Sequence, residues 1–423
     1  MRFPPSGEAV AAASRAGLVA LLQAARRTPF WASRLRQLED GLGRGDADPF
    51  ELLDRLPPVT KRELRLAGTA AVQDGWVRPW WPASRSSGST GEPFVVHFDL
   101  RGWVTLKYAV KLRARAACGV AAGDRIAVLD AFPASQEGRT LAERVRPFRR
   151  ISVLQPAELV AEKLLRHRPS AVYGLPSALL EAGQALAAAG RRPPVRVVFA
   201  SGEFLQPGTR AALAAAFDAP VLDVYGSSET KEIAWECPQG GRHINADVLH
   251  VEVVGPDGDL LPPGEEGEIV VSVLANHAMP MLRYRTGDRG YLRPGRCPCG
   301  VALPLLGVLS GRETDTLDLG AGRRISPYLL TTAIEQIDGV LQYQVSQTAR
   351  SRLRVRAVAA AAANRALMDD GIRAALRREV EPTLDVDVEF VERLPRGARA
   401  KVRAVEPLES ETSSEVSSDG SES

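Results

Sequence analysis

Residues 195–225 read VRVVFASGEFLQPGTRAALAAAFDAPVLDVY, and this stretch decides the fold class. An apolar run at Val195–Ala200 and another at Val221–Tyr225 are typical of strands, and Thr209–Phe217 between them is typical of a helix. Strands that alternate with helices imply a mostly parallel sheet covered by helices. In such sheets ligands gather at the carboxyl ends of the strands.

The same alternation begins near residue 125. Further strands are predicted at Arg125–Asp130, Ile151–Leu154 and Ala171–Gly174, and further helices at Pro156–His167 and Pro176–Ala189. Around Val248–Val254 and Gly267–Val273 the pattern changes to short strands with Gly-Pro turns. This change predicts a small antiparallel β subdomain. Gly174, Ser201–Glu203 and Tyr225–Gly226 would then meet in one crevice.

Residues 313–405 read as a separate unit. It has a predicted helix from Ser326 to about Ile337, a strand at Leu353–Val358, a helix at about Arg365–Val380 and a strand at Val386–Val391. We therefore expect a large α/β domain over residues 1–312, with a doubly wound, mostly parallel sheet. A small α+β domain follows over residues 313–405. The last segment, 406–423, carries six acids and no base and is expected to be a disordered acidic tail.

Composition narrows the function. The chain has 423 residues, enough for two or more folding units, and a net charge of +3. Because the tail is acidic, the rest of the chain carries about +9, which suits anionic small substrates. No apolar run reaches the roughly 18 residues of a membrane helix, and no secretory signal opens the chain. We expect a cytoplasmic protein that binds neither membrane nor nucleic acid.

Residues 86–93 read SSGSTGEP. Gly88 and Gly91 let a backbone approach an anion closely, and the hydroxyls of Ser86, Ser87, Ser89 and Thr90 are neutral donors. The segment is not a Walker loop, because its glycines are three residues apart and no lysine follows. Taken alone, such a segment is more often a solvated polar loop. The motifs downstream favour a phosphate loop.

Four motifs follow in order: Asp223–Glu229 (DVYGSSE), Arg283–Asp288 (RYRTGD), Gly311–Arg312, and Lys401 in LPRGARAK. With the hydroxyl-rich loop, this set resembles the adenylate-forming (AMP-binding) superfamily. Within it, the chain looks like the phenylacetate–coenzyme A ligases and their capsular-polysaccharide-associated relatives. The N-terminal segments 27–30 (RTPF) and 56–61 (LPPVTK) are also similar to that family.

The resemblance implies roles for single residues. The loop from Ser86 to Gly91 would hold the β- and γ-phosphates of ATP. Ser201, Gly202, Glu203, Asp223, Tyr225 and Gly226 would enclose the adenine, with Asp223 accepting a hydrogen bond from its amino group. Glu229 would hold Mg²⁺, since hard cations prefer carboxylate oxygens. Asp288 and Arg312 would bind the ribose. The alternatives are a turn aspartate at 288, a helix-end acid at 229 and a core tyrosine at 225.

Lys401 is unusual in this composition, which has six lysines and 48 arginines. A compact ammonium on a flexible stem can follow a moving oxyanion better than a planar guanidinium can. We expect Lys401, on a mobile C-terminal domain, to act in catalysis. The alternative is a solvated surface lysine.

Three of the four cysteines are Cys237, Cys297 and Cys299, and His243 lies near the first. Three thiolates and one imidazole fill a tetrahedral zinc shell and leave no open position. The sequence therefore predicts a structural zinc. The alternative is reduced cysteines buried as small apolar residues.

Together these features predict an enzyme that activates a carboxylic acid, aryl or arylacetic by family resemblance, with ATP and Mg²⁺. Coenzyme A would then accept the acyl group, and the enzyme could form a homodimer. Tyr173–Ser177 would border the acyl pocket. A carrier-protein thiol, an amine or a sugar are alternative acceptors. An alternative of another class is an inactive, zinc-stapled nucleotide-binding module.

Overall fold

The computed structural model describes residues 3–42, 48–85, 94–138, 147–312, 317–320, 324–325, 327–396 and 401–408. These residues form two compact units. The larger comprises Met1–Leu309 with Arg396–Lys401, and the smaller comprises Ser310–Pro395 and continues from Val402. Lys401, which the sequence assigned to the C-terminal domain, thus packs with the larger unit. The domain boundaries and the mobility of the smaller unit stay predictions.

An α/β architecture is confirmed in the larger unit. Five neighbouring strands run parallel, and each is hydrogen-bonded to the strand beside it. They are β3 (Ile126–Asp130), β4 (Phe148–Ser152), β5 (Ala171–Gly174), β6 (Val197–Ser201) and β7 (Val221–Ser227). The crossover helices are α7 (Ala157–His167), α8 (Pro176–Ala188) and α9 (Pro207–Phe217). Two of these helices begin with proline at the first turn, where its missing N–H is not needed.

Antiparallel strands extend this sheet to 11 strands, in the order β10-β11-β12-β13-β9-β8-β7-β6-β5-β3-β4. They are β8 (Lys231–Glu236), β9 (Arg242–Ile244), β10 (His250–Val254), β11 (Gly267–Ser272), β12 (Tyr284–Arg293) and β13 (Leu305–Arg312). The sequence predicted these antiparallel strands as a small β subdomain of the larger domain. They instead continue the edge of the parallel sheet through the β7–β8 pair.

N-terminal helices cover the antiparallel half of the sheet. They are α1 (Gly7–Arg26), α2 (Pro29–Leu42), α3 (Pro49–Asp54) and α4 (Lys61–Ala67). Helix α1 buries Val10, Leu18 and Leu21, whose spacing places them on one face. Helix α4 starts with a capping box, in which Thr60 and Glu63 satisfy each other's backbone N–H groups. The buried side chains of these helices and of the antiparallel strands form one apolar core.

A hairpin and a bent helix complete the larger unit. The hairpin is β1 (Ala83–Arg85) with β2 (Val95–His97). Helix α5 (Leu100–Val104) continues through a π-helical turn (Thr105–Ala109) into α6 (Val110–Ala117). Short 3₁₀ turns lie at Gly68–Ala71, Gln73–Gly75 and Ala134–Gln136. None of the helices in the described ranges combines the length and apolar character needed to cross a bilayer.

The smaller unit is α+β, as the sequence predicted. A four-stranded sheet has the order β18-β17-β16-β19. Its strands are β16 (Val340–Ala349), β17 (Arg352–Ala359), β18 (Asp385–Phe390) and β19 (Val405–Glu406), and a separate pair is β14 (Leu317–Asp318) with β15 (Arg324–Ile325). Helices α10 (Pro327–Glu335) and α11 (Arg365–Glu379) pack with this sheet around a core of their own.

Candidate active site and Cys/His cluster

The carboxyl ends of three parallel strands bring the predicted crevice residues together. In the ladder, Gly174 of β5 pairs with Ala200 of β6, and Ser201 pairs with Val224 of β7. We call this edge of the sheet the strand-end edge. The Ser201 hydroxyl donates to the Val224 carbonyl at 2.7 Å and ties β6 to β7 just before both strands end.

Gly202 follows Ser201 at a position that only glycine occupies without strain. Its φ is +89°, and a Cβ built on it would lie 3.6 Å from both Cε and Nζ of Lys401. The lysine that the sequence selected for catalysis thus lies beside the strand-end edge. Glu203 comes next, and its carboxylate accepts hydrogen bonds from the backbone N–H and the hydroxyl of Ser177, both at 2.9 Å. Glu203 therefore caps helix α8, a role that the sequence did not predict.

Tyr225 and Asp288, which the sequence assigned to the nucleotide site, contact each other. The Tyr225 hydroxyl donates to the Asp288 carboxylate at 2.9 Å, across 63 residues of chain. Thr286 positions Asp288 by accepting its backbone N–H at 3.1 Å. The two side chains therefore form a hydrogen-bonded pair beside the end of β7.

Asp223 has a partner that the sequence analysis missed. Arg242 of β9 pairs with its carboxylate at 2.5 Å. Burial raises the pKa of Asp223, and Arg242 opposes that shift. One carboxylate oxygen is thus committed to Arg242, so the adenine contact that the resemblance implies would fall to the other oxygen.

Glu229 lies in the turn after β7 and is 6 % exposed. Its carboxylate pairs with Lys61 Nζ at 3.1 Å. Burial alone would raise the pKa of Glu229, but the charge and hydrogen bond of Lys61 outweigh it and lower the pKa. Lys61 is the first residue of α4, which Thr60 caps. In the sequence, Lys61 stood out only as part of the segment LPPVTK. The rarity of lysine in this chain is the signal that could have marked it.

A second lysine–glutamate pair lies behind the strand ends. Glu232 of β8 stands opposite Gly226 of β7 in the ladder. Its Oε1 accepts from the Tyr173 hydroxyl at 3.1 Å and pairs with Lys111 Nζ at 3.2 Å. Neither Glu232 nor Lys111 was singled out from the sequence.

Four of the six lysines lie at or next to this edge. They are Lys61, Lys111, Lys231 and Lys401. By contrast, Lys163 pairs with Glu137 and contacts Gln155 beyond the edge strand β4. Arginine is thus the usual basic residue of the chain, and most of the few lysines lie at the candidate site.

Some predicted site residues cannot be placed. The phosphate loop, Ser86, Ser87, Gly88, Ser89, Thr90 and Gly91, lies outside the described residues. Arg312 ends β13. Their roles toward phosphate and ribose stay predictions.

The four predicted metal ligands meet at the far end of β8. The ligand atoms of Cys237, His243, Cys297 and Cys299 all lie within 4.8 Å of one another. Cys237 Sγ is 3.5 Å from Cys297 Sγ, and Cys299 Sγ is 3.1 Å from His243 Nε2. Zinc–sulfur bonds of about 2.3 Å in a tetrahedron place two sulfurs about 3.8 Å apart. The donor set and its spacing fit a closed zinc site.

Neighbouring groups hold the His243 ring in the ligating orientation. Its Nδ1 lies 3.4 Å from the Leu303 carbonyl oxygen, which leaves Nε2 for the cysteine side. Trp235 stacks on the ring with centroids 5.0 Å apart. Cys118 is half-buried nearby, its Sγ 3.7 Å from the Glu236 carbonyl oxygen, and burial raises the pKa of Cys118 to about 12.

Comparisons with known proteins found similar sequences and structures. Residues 86–276 match the AMP-binding enzyme family model. Phenylacetate-coenzyme A ligases are similar: that of Aromatoleum evansii is 29% identical over 55% of this chain and 54% of its own length. That of Pseudomonas putida is 29% identical over 67% of this chain and 66% of its own length. The chain thus aligns with about half to two thirds of the length of these curated relatives.

Solved structures share the fold. A 2-hydroxyisobutyryl-CoA ligase in complex with 2-HIB-AMP superimposes with a TM-score of 0.76 at 21% identity, covering 97% of this chain and 91% of that one. An anthranilate CoA ligase in complex with anthranoyl-AMP gives a TM-score of 0.56 at 18% identity, covering 76% and 65%. Residues 86–276 therefore match the AMP-binding enzyme family, and the chain is similar to phenylacetate–coenzyme A ligases over about half to two thirds of its length.

Proposed function

We propose that the protein activates a carboxylic acid with ATP and passes the acyl group to coenzyme A. In the first step a carboxylate oxygen attacks the α-phosphorus, and pyrophosphate leaves. In the second step the thiol sulfur attacks the acyl carbon, the thiol proton is lost, and AMP leaves. The observation that supports this most strongly is the placement of Lys401, Glu229 and the Tyr225–Asp288 pair at or beside the ends of β6 and β7.

The nucleotide would lie across this edge. Its phosphates would contact the loop of residues 86–91, and its ribose hydroxyls would donate to Asp288, with Arg312 nearby. The hydrogen bond from Tyr225 holds the Asp288 carboxylate in one orientation. A fixed carboxylate loses less conformational entropy when it binds the ribose hydroxyls, which supports this assignment. By resemblance, the adenine would lie beside Gly202 and Gly226, with Tyr225 and Asp223 around it.

Glu229 would hold Mg²⁺, which neutralises phosphate charge when bound. The lowered pKa of Glu229 supports this role, because only the ionised carboxylate binds a hard cation. Lys61, 3.1 Å away, balances the buried negative charge of Glu229. Since the cation and the ammonium favour the same carboxylate, Lys61 would compete for Glu229 or turn to a phosphate oxygen.

Lys401 would stabilise the charge that develops between the carboxylate and the α-phosphate. The Lys401 ammonium lies beside Gly202, 3.6 Å from the position of a Cβ built on that glycine. Electrostatic stabilisation of this kind acts mainly on the transition state. The assignment predicts a loss of turnover that exceeds the loss of ATP affinity.

A structural zinc is the second part of the proposal. Cys237, His243, Cys297 and Cys299 would bind it and join two segments that lie far apart in sequence. Four protein ligands leave no position for water, so the ion would hold the fold and take no part in the reaction.

The identities of the acid and of the acyl acceptor are inferred from similarity to known ligases. The similar proteins are named as phenylacetate-coenzyme A ligases, which favours an aryl or arylacetic acid and coenzyme A. A carrier-protein thiol, an amine or a sugar are the alternative acceptors. We place the reaction in the cytoplasm, where ATP and reduced thiols are available. A homodimer is a further expectation from the sequence.

Acid-dependent exchange of radiolabelled pyrophosphate into ATP tests the proposal. We expect exchange with at least one acid of a broad panel, and we expect Lys401→Ala to abolish most of it. Lys163→Ala is the matched control, because this lysine pairs with Glu137 beyond the edge strand. No exchange with any acid, in protein that binds ATP and zinc, would favour the inactive nucleotide-binding module.

A further inference from the structure

The strand-end edge contains a buried polar cluster that acid activation does not require. Tyr173, the penultimate residue of β5, and Lys111 of α6 both contact the same oxygen of Glu232, at 3.1 and 3.2 Å. Glu232 is 6 % exposed. The Lys111 ammonium also lies 5.1 Å from the centroid of the Tyr173 ring. We call these three residues the Glu232 cluster.

The ionisation state of the cluster follows from its contacts. Burial raises the pKa of Tyr173, so its hydroxyl stays protonated and donates. Burial would lower the pKa of Lys111, but its interactions, including the charge and hydrogen bond of Glu232, outweigh burial and raise that pKa. Lys111 therefore carries its charge, and both neighbours act as donors toward Glu232 Oε1.

The second carboxylate oxygen of Glu232 is left as an acceptor. Within the part of the chain that the structure describes, Oε1 receives both contacts and no donor contacts Oε2. A carboxylate oxygen accepts about two hydrogen bonds, so this capacity is unused. A purely apolar ligand that covered this oxygen would leave it without a hydrogen bond, which costs binding free energy. A ligand with a matching donor avoids that cost.

The position of the cluster relates it to the acid. Tyr173 precedes Gly174 at the end of β5, and Glu232 faces Gly226 at the end of β7. Between them, β6 ends at Ser201, next to Gly202 and Lys401. If the carboxylate of the acid lies near Lys401, the rest of the acid extends along these strand ends toward the cluster. A lysine–glutamate pair is also an expensive way to stabilise a fold, since apolar residues often do so as well.

We infer that Glu232 selects acids that carry a hydrogen-bond donor, a hydroxyl or amino group, on the acyl portion. The donor binds Glu232 Oε2, while Lys111 and Tyr173 hold the carboxylate in place through Oε1. Glu232 is then a specificity residue, and Lys111 and Tyr173 are positioning residues. The inference rests on the proposed acid activation and names the class of acid.

Pyrophosphate exchange with shape-matched acid pairs tests this inference. Each pair differs only in a donor group replaced by methyl: 2-hydroxy-2-methylpropanoate with 2,2-dimethylpropanoate, 2-aminobenzoate with 2-methylbenzoate, and 4-hydroxyphenylacetate with 4-methylphenylacetate. In at least one pair we expect kcat/KM to favour the donor acid by about 100-fold or more, because sites built to bind a donor reject analogues that lack it.

Variants separate specificity from folding. Glu232→Gln keeps the shape and one acceptor oxygen, and we expect the preference to fall about tenfold, mostly through KM of the donor acid. Glu232→Leu combined with Lys111→Met removes both charges together, and should leave the methyl acid of that pair as good as the donor acid or better. Glu137→Gln, which breaks another lysine–glutamate pair, is the matched control and should keep the wild-type preference.

The outcomes are distinguishable. Exchange by the wild type with equal efficiency on both members of every pair would overturn the inference and leave the proposed function standing. So would an equal loss on donor and methyl acids in Glu232→Gln, which would make the cluster a structural brace. Absence of exchange with all acids would overturn the proposed function, and the inference with it.

Discussion

Gly241→Ala tests the Cys/His cluster more directly than replacement of a ligand, because it leaves all four donors in the chain. Gly241 lies between Cys237 and His243, and a Cβ built on it would lie 2.5 Å from Cys297 Sγ and 3.3 Å from His243 Nε2. Non-bonded heavy atoms rest about 3.5–4.0 Å apart, so the sulfur would have to move by roughly 1 Å. Zinc–ligand distances vary by only about 0.2 Å. The methyl group therefore takes at least one ligand out of bonding range.

We expect the wild type to hold one zinc per chain and Gly241→Ala to bind zinc at least about 100-fold more weakly, the upper end of the range for changes outside the ligand shell. Its melting temperature should fall, because binding energy of a structural zinc is folding energy. Elemental analysis, competition with a chromophoric chelator and calorimetry measure these effects.

Gly123→Ala is the matched control. A Cβ built on Gly123 meets no atom within 4 Å. This variant should therefore keep its zinc and its melting temperature. If Gly241→Ala also keeps a full equivalent of zinc and the wild-type melting temperature, the four residues do not bind the metal as a set and the reasoning is refuted.

Three further predictions concern single charged groups. Lys401→Ala should lower acid-dependent exchange by about 10²- to 10³-fold while transfer from supplied acyl-adenylate to coenzyme A falls much less; equal losses in both half-reactions would contradict its role. Lys61→Met should lower the Mg²⁺ concentration for half-maximal exchange, since the ammonium no longer competes for Glu229; an unchanged or higher midpoint would count against magnesium binding there. Burial lowers the pKa of His250 from 6.5 to about 4, so the unfolded state takes up a proton there first and stability falls as the pH drops. Burial raises the pKa of Glu252 from 4.5 to about 7, which has the opposite effect. Glu252→Gln should therefore make the melting temperature fall more steeply than that of the wild type between pH 6.5 and 4.5, and parallel curves would refute the assignment.

The order of helices and strands could be predicted because it depends on local patterns. The helix expected at Pro176–Ala189 is observed at Pro176–Ala188, and the strand expected at Val221–Tyr225 extends to Ser227. The strand expected at Ile151–Leu154 lies instead at Phe148–Ser152. It is the last strand of the sheet, so its arginines at 149 and 150 can reach solvent, and their polarity concealed the strand.

The candidate site was predicted only in part, because its contacts join distant segments. The Cys/His cluster could be predicted since cysteine is rare in the chain and its donors match one metal geometry. Lys61 and Glu229 lie 168 positions apart, and no local pattern links a helix N-terminus to a turn beyond a strand. The same holds for Glu232 with Lys111. Such pairs follow from the topology of the sheet and can be found only once the strand order is known.

Strand β8 connects the two sites that the sequence treated separately. It begins at Lys231, directly after the turn that carries Glu229, and ends next to Cys237, one of the four proposed zinc ligands. Because side chains alternate along a strand, a shift of one residue would turn Glu232 to the opposite face. Zinc at Cys237 would tie this end of β8 to His243 on β9 and to the loop of Cys297, which opposes such a shift. The Cys/His cluster would therefore influence acid selection by fixing the register of β8, without any contact between the metal and the substrate.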